Sequence, residues 1–231
     1  DTPPTPFADP LLQAPASSSR VGATEGRFEV NASGAATYSI PILTARGSGG
    51  LQPAVSLNYN SQSGNGLAGL GWGLSAYSLI SRCSQTYEQD ADAANPNFVP
   101  TGVQLDSRDR FCLDGQRLLL VEGGEYGANG AVYRKELDDF VRVTSSGSVG
   151  DGPTCFTVEA PDGGVVHYGN CAAAPNSTAL ILSDLSTGVP YAWAQARMED
   201  LAGNYMNYFY RPPSSGIEIL LDRIEFTGNI N

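Results

Sequence analysis

Apolar and polar residues alternate at period two in several short stretches, which is the pattern of half-buried β-strands. Phe28 and Val30 open a first strand, and Asn31-Ala32-Ser33-Gly34 supplies turn residues. Residues 37–42 read as a second strand, with Tyr38, Ile40 and Ile42 on one face. Val55, Leu57 and Tyr59 alternate in the same way and predict a third. Residues 118–121 form a short apolar strand that ends at Gly123-Gly124. Residues 156–168 predict a hairpin, with Pro161-Asp162-Gly163-Gly164 as its turn. Residues 191–200 (YAWAQARMED) are rich in helix formers. Yet Trp193, Gln195 and Arg197 alternate with Ala192, Ala194, Ala196 and Met198. A turn at 201–204 then leads into Tyr205, Asn207 and Phe209, which alternate with Met206, Tyr208 and Tyr210. The reading is strand–turn–strand, followed by a turn at 212–216 and a further strand over 217–226.

Two stretches break the alternation. Residues 64–73 read GNGLAGLGWG and contain a GxGxxG spacing at Gly64, Gly66 and Gly69. No helix of useful length follows, so a nucleotide loop is disfavoured. The expected role is a tight loop presenting Leu67, Leu70 and Trp72 to a core, with Trp72 substantially buried. Residues 85–114 are acidic and read as a loop carrying Glu88, Asp90, Asp92, Asp106, Asp109 and Asp114. They lack the register of an EF-hand, so the expectation is a solvated loop with no metal.

Composition narrows the function classes. The chain has 231 residues, 41% hydrophobic and 16% charged, with 27 Gly and 15 Pro. That suits a turn-rich β protein better than a helical one. Thirteen basic residues face 24 acidic ones, for a net charge of -11. Nucleic acid is therefore not an expected partner, because phosphate contacts need a basic patch. No apolar run approaches the ~20 residues of a membrane span. Residues 1–25 read as a flexible Pro/Ser/Ala-rich tether after a cleaved signal or a cloning junction. The ending at Asn231 reads as the edge of a longer polypeptide. Four cysteines, Cys83, Cys112, Cys155 and Cys171, include no CxxC pair, and the lone His167 cannot complete a zinc finger. An even number suits two disulfides in an exported chain; of three possible pairings, the nearest-neighbour one, Cys83–Cys112 and Cys155–Cys171, closes short loops and is preferred.

Three ordered stretches resemble a known family. The first is Gly34-x-x-x-Tyr38-x-Ile40-Pro41-Ile42, Gly50-Leu51-x-Pro53, Leu57-x-Tyr59-Asn60-Ser61 and Gly64-Asn65-Gly66-x-x-Gly69-x-Gly71-Trp72, with Ile80-x-Arg82. It is similar to the SpvB/TcaC amino-terminal domain of RHS/YD-repeat proteins and the Tc toxin B component. The second, residues 109–118 (DRFCLDGQRL), resembles a segment further along those proteins. The third, Asp200-x-x-Gly203-Asn204-x-x-x-Tyr208-x-Tyr210 with Leu221-x-Arg223-Ile224-x-Phe226-Thr227-Gly228-Asn229, resembles a degenerate YD/RHS repeat. It departs from the usual repeat in having no Tyr-Asp pair. The resemblance implies an all-β fold whose antiparallel sheets of short strands and hairpins start an RHS-type β shell. It implies an SpvB-like domain over 26–190, and repeat-like strands over 191–231 continuous with the preceding sheet. Tyr38, Pro41, Pro53, Tyr59, Gly66, Gly69, Gly71 and Trp72 are its structural motif positions.

The implied function is a non-catalytic structural module of a secreted or extracellular toxin or surface protein. In that family the shell encloses a toxic carboxy-terminal domain, and catalysis resides in a separate domain. Expected partners are the downstream RHS-repeat polypeptide or other toxin-complex subunits, with no cofactor. The alternative is an autonomous extracellular β domain that binds a glycan or protein receptor. An enzyme is disfavoured. The acid pairs Glu199/Asp200 and Asp138/Asp139 are adjacent, so on a strand they point to opposite faces, and no nucleophile elbow accompanies His167.

Overall fold

The computed structural model describes residues 25–66, 68–91, 95, 97–137, 139–174, 178–182, 188–211 and 219–231. The expected tether up to residue 24, Leu67, Asp92, Asp138, the 212–216 turn and Ile217 lie outside these. The chain forms two compact units, residues 25–44 with Ala54–Ala76, and Ala45–Pro53 with Tyr77–Asn231. The fold is all-β and antiparallel throughout.

The first unit is one four-stranded sheet, made of β1 (Arg27–Val30), β2 (Ala36–Ile42), β3 (Val55–Asn60) and β6 (Trp72–Ser75) in that spatial order. A two-rung ladder of β4 (Asn65–Gly66) and β5 (Gly69–Leu70) precedes β6. Strand register turns the period-two pattern into two chemically distinct faces. Phe28, Tyr38, Tyr59 and Trp72 fall opposite one another and form an aromatic row across all four strands. Ile40, Leu57 and Leu74 form the next row on that face, and Ile42 faces Val55 beyond it. The other face carries Arg27, Glu29, Thr37, Ser39, Asn58 and Ser56. No strand residue of this sheet is buried. Leu70 is 75% exposed, so the glycine block does not deliver it to an interior as expected, whereas Trp72 is partly buried beside Tyr59.

The second unit holds β7 (Leu79–Cys83), β8 (Arg110–Leu113), β9 (Gln116–Glu122), β10 (Val132–Lys135), β11 (Arg142–Ser146), β12 (Cys155–Glu159) and β13 (Val165–Gly169) as a meander. They are followed by β14 (Leu180–Leu182), β15 (Pro190–Glu199), β16 (Asn204–Arg211) and β17 (Leu220–Asn229). The first half of β15 pairs with β7, placing Trp193 opposite Ile80. Its second half pairs with β13, placing Arg197 opposite His167. Those two pairings close β7 to β13 and β15 into an eight-stranded barrel. Closure removes the sheet edges that would otherwise seek partners.

Side chains fill the barrel. Phe111, Tyr133, Phe156 and Trp193 are fully or almost fully buried with Ile80, Leu118 and Val143. Phe156 and Trp193 meet edge to face at 5.0 Å, and Phe111 meets Trp193 at 5.1 Å, the geometry that aligns ring edges with ring faces. A second core lies on the other side of β15, with Ala194, Ala196, Met206, Tyr208 and Tyr210. The residues of β15 from Ala192 to Arg197 are buried on both faces. The alanines that lent this stretch its helical look keep one face thin, so that Tyr208 and Tyr210 can approach. The acidic stretch was expected to be a loop. Instead Arg110–Leu113 is strand β8, because Phe111 and Leu113 point into the barrel, and Tyr87–Asp90 forms one helical turn.

Candidate functional site

The two disulfides join Cys83 to Cys112 and Cys155 to Cys171. The first ties β7 to β8, and the second ties β12 to the segment after β13. Arg82, next to Cys83 on β7, ties together four separate backbone segments. Its Nε donates to the Pro190 carbonyl at 2.6 Å, and its terminal nitrogens donate to the carbonyls of Asp106 at 2.9 Å and Asp151 at 2.6 Å. The same guanidinium meets the Asp109 carboxylate at 3.1 Å, with both side chains 1% exposed. It also lies 5.9 Å from the ring centres of Phe111 and Trp193. Asp109 in turn accepts the N–H groups of Gln104 and Leu105, each at 2.7 Å. A buried charge tolerates such a place only when fully partnered. Arg82 and Asp109 had stood in separate motifs; the fold makes them one seal.

Asp90, Asp106 and Asp114 are likewise partnered. Asp90 holds Arg110 at 2.6 Å and also Arg117. Burial works against its charge, but the Thr86 N–H and the two guanidiniums outweigh that and keep its carboxyl below the usual range. Asp106 pairs with Arg108 at 2.6 Å. Asp114 accepts from Ser78 at 2.5 Å and from the Leu79 N–H at 2.9 Å. Among the described residues no three His, Cys, Asp or Glu side chains converge on a point that could hold a metal ion. Asp139 pairs with Lys135, and Glu199 pairs with Arg197. His167 lies 3.9 Å from Glu199 and 3.3 Å from the Thr157 hydroxyl. Burial pushes its pKa below 6.5, more than Glu199 raises it, and Arg197 adds to the lowering. A cleft of about 410 Å³ beside the first disulfide is lined by Thr86, Glu88, Gln89, Arg117 and Glu136. Its two cysteines are joined in the disulfide, and His167 does not line it.

Two of the motif glycines, Gly66 and Gly71, are required by close approach. A Cβ on Gly71 would lie 2.6 Å from the Tyr59 ring, and φ there is +78°. A Cβ on Gly66 would lie 2.1 Å from the Trp72 carbonyl. Gly69 pairs with Gly66 in the small ladder. Tyr59 and Trp72 rings meet at 5.3 Å, beside Tyr38 in the aromatic row. Pro41 sits opposite Ser56 on the polar face, and Pro53 is buried in the second unit. The Gly-rich run is thus a folding device; β-strands, not a helix, follow it.

The repeat-like third motif builds the β15–β16 turn. One Asp200 oxygen accepts the N–H groups of Ala202 and Asn204, each at 2.9 Å. The other accepts the Asn204 amide at 2.7 Å, and these bonds, with the Asn204 side chain foremost, hold the carboxyl below its usual range. Asn229 on β17 donates to Asn204 at 2.9 Å. Residues 30–123 match the family model of SpvB, the Salmonella virulence plasmid 65kDa B protein. These residues are an SpvB-type segment.

Solved structures extend the likeness beyond that segment. The crystal structure of TcdB2-TccC3 matches with a TM-score of 0.66 at 20% identity, over 95% of this chain and 11% of that one. A Photorhabdus luminescens Tc holotoxin pore matches with a TM-score of 0.58 at 22% identity, over 93% and 10%. The N-terminal domain of effector protein SpvB from Salmonella typhimurium strain LT2 matches with a TM-score of 0.55 at 19% identity, over 81% and 64%. At these identities the shared property is the fold, and this chain spans about a ninth of the TcdB2-TccC3 chain. No curated protein matches the sequence.

One sheet boundary is open among the described residues. Strand β17 pairs with β16, and among the described residues nothing pairs with its other side. Leu221, Ile224 and Phe226 turn toward the second core, while Asp222, Arg223 and Glu225 are exposed. No described helix is long and apolar enough to cross a membrane.

Proposed function

We propose that this chain is a non-catalytic wall segment of a β shell that encloses a toxic carboxy-terminal domain in a secreted RHS/Tc-type toxin. The observation that carries the reading is the way β15 leaves the closed barrel and continues as a sheet through β16 to the open side of β17. A strand side with free N–H and C=O groups templates a further strand. The fold shared with TcdB2-TccC3 supports the same reading. Asp109 and Asp90 are spent on buried or part-buried ion pairs that hold the barrel's loops together, which favours a structural role for them. The partners are the RHS-repeat polypeptide that continues the sheet and other toxin-complex subunits, in an extracellular setting that suits the two disulfides. The test is co-expression with the downstream RHS-repeat polypeptide of the same toxin, followed by size exclusion. Co-elution supports the shell. A chain that ignores that polypeptide and instead binds a cell-surface glycan or protein tightly overturns it.

A further inference from the structure

We propose that β1 is a self-pairing edge, through which two copies of this chain join antiparallel about a two-fold axis at Phe28. Strand β1 pairs only with β2 among the described residues. Its hydrogen-bonding phase follows from the bond that the Asn31 N–H donates to the Ala35 carbonyl at 3.0 Å. With Phe28 opposite Tyr38 and Val30 opposite Ala36, bonded pairs alternate, so Glu29 and Arg27 use their backbone groups toward β2. The N–H and C=O of Phe28 and Val30 therefore point away from the sheet.

Side chains on this edge are self-complementary. A two-fold axis at Phe28 places Phe28 opposite its own copy as a bonded pair, and Gly26 opposite Val30 as the bonded pairs on either side. It also places Arg27 of each copy opposite Glu29 of the other, at the non-bonded position where side chains come closest. In the single chain these two residues pair with one another while 80% and 53% exposed. Phe28 and Val30 are 64% and 62% exposed, and pairing would cover both. The aromatic row Phe28–Tyr38–Tyr59–Trp72 would then continue into the second copy's row. Edge charges that prevent association are of one sign or face inward; here the order Arg-Phe-Glu sets unlike charges against one another. A strand of roughly 13 Å gives far less contact than the ~800 Å² per partner of a stable dimer, so the association is weak and salt-sensitive.

The experiment is sedimentation equilibrium on the full chain from micromolar to millimolar concentration at low and high salt. The wild type should dimerise weakly, and less so at high salt. Arg27→Glu and Glu29→Arg should each weaken dimerisation by roughly tenfold or more, because each sets like charges opposite one another twice. Both side chains are exposed, so circular dichroism should be unchanged. Mixing the two variants should restore association, as should the double variant Arg27→Glu/Glu29→Arg, which is again self-complementary. A wild type that stays monomeric to millimolar, or a dimer indifferent to these reversals, overturns the proposal.

Discussion

Replacing Asp109 is the sharpest probe of the barrel. Asp109→Ala would strand the Arg82 guanidinium between Phe111 and Trp193 with no counter-charge, and would free the Gln104 and Leu105 N–H groups. Removing one partner of a buried ion pair costs about 3–5 kcal/mol. Asp109→Asn should not rescue the loss. One carboxylate oxygen accepts Gln104 and the other accepts Leu105 and Arg82, so both sites face donors. Whichever way the amide is turned, its NH2 opposes an N–H, and a lost hydrogen bond to a charged group is worth roughly 1.5–3 kcal/mol. The alanine and asparagine variants should therefore both be destabilised by at least about 2 kcal/mol, a large share of the ~5–15 kcal/mol that holds typical domains. Urea unfolding under oxidising conditions, followed by tryptophan fluorescence, reads this directly. The midpoint should fall while the slope stays constant. A loss below about 1 kcal/mol for Asp109→Ala would mean that water reaches Arg82, and the seal argument would be wrong.

Three further outcomes follow from burial and covalent geometry. Trp193→Ala should cost about 3–5 kcal/mol, whereas the half-buried Trp72 should cost less when truncated; equal losses in urea would contradict the two environments. The disulfides close loops of 29 and 16 residues, so each should contribute roughly 3–4 kcal/mol in the chain-entropy model; peptide mapping without reductant should return these two pairs, and four alkylatable thiols would refute them. His167 has a lowered pKa in the folded state, so below pH 6.5 the unfolded chain binds the extra proton first. Stability should then fall as pH drops from 6.5 toward the folded-state value, and His167→Gln should flatten that slope in pH-dependent unfolding.

Much of the strand pattern was legible because alternation is a local property. Tyr38, Ile40 and Ile42, and Val55, Leu57 and Tyr59, occupy one face as their spacing required. The Phe156–Tyr168 hairpin and the pair of strands around residues 201–204 likewise follow from spacing and turn residues. The Arg82–Asp109 seal was not legible, since an arginine and an aspartate 27 residues apart look like ordinary surface charges. Strand β8 was hidden for the same reason: Arg110 and the acids around it mask Phe111 and Leu113, whose burial depends on strands elsewhere.

The sequence by itself determined which side chains share a face, where turns fall, and that the chain is built from antiparallel β-strands. Those depend on the two-residue repeat of the backbone and on turn residues, which neighbours in sequence impose. Tertiary structure alone decided what each face meets. The Ser78 N–H finds the Gln195 side chain 117 residues away, and β15 joins both β7 and β13 to close the barrel. Alternation cannot specify either partner, because any strand of matching face offers the same N–H and C=O groups. The choice is made by which closure buries Trp193, Phe111 and Phe156 together.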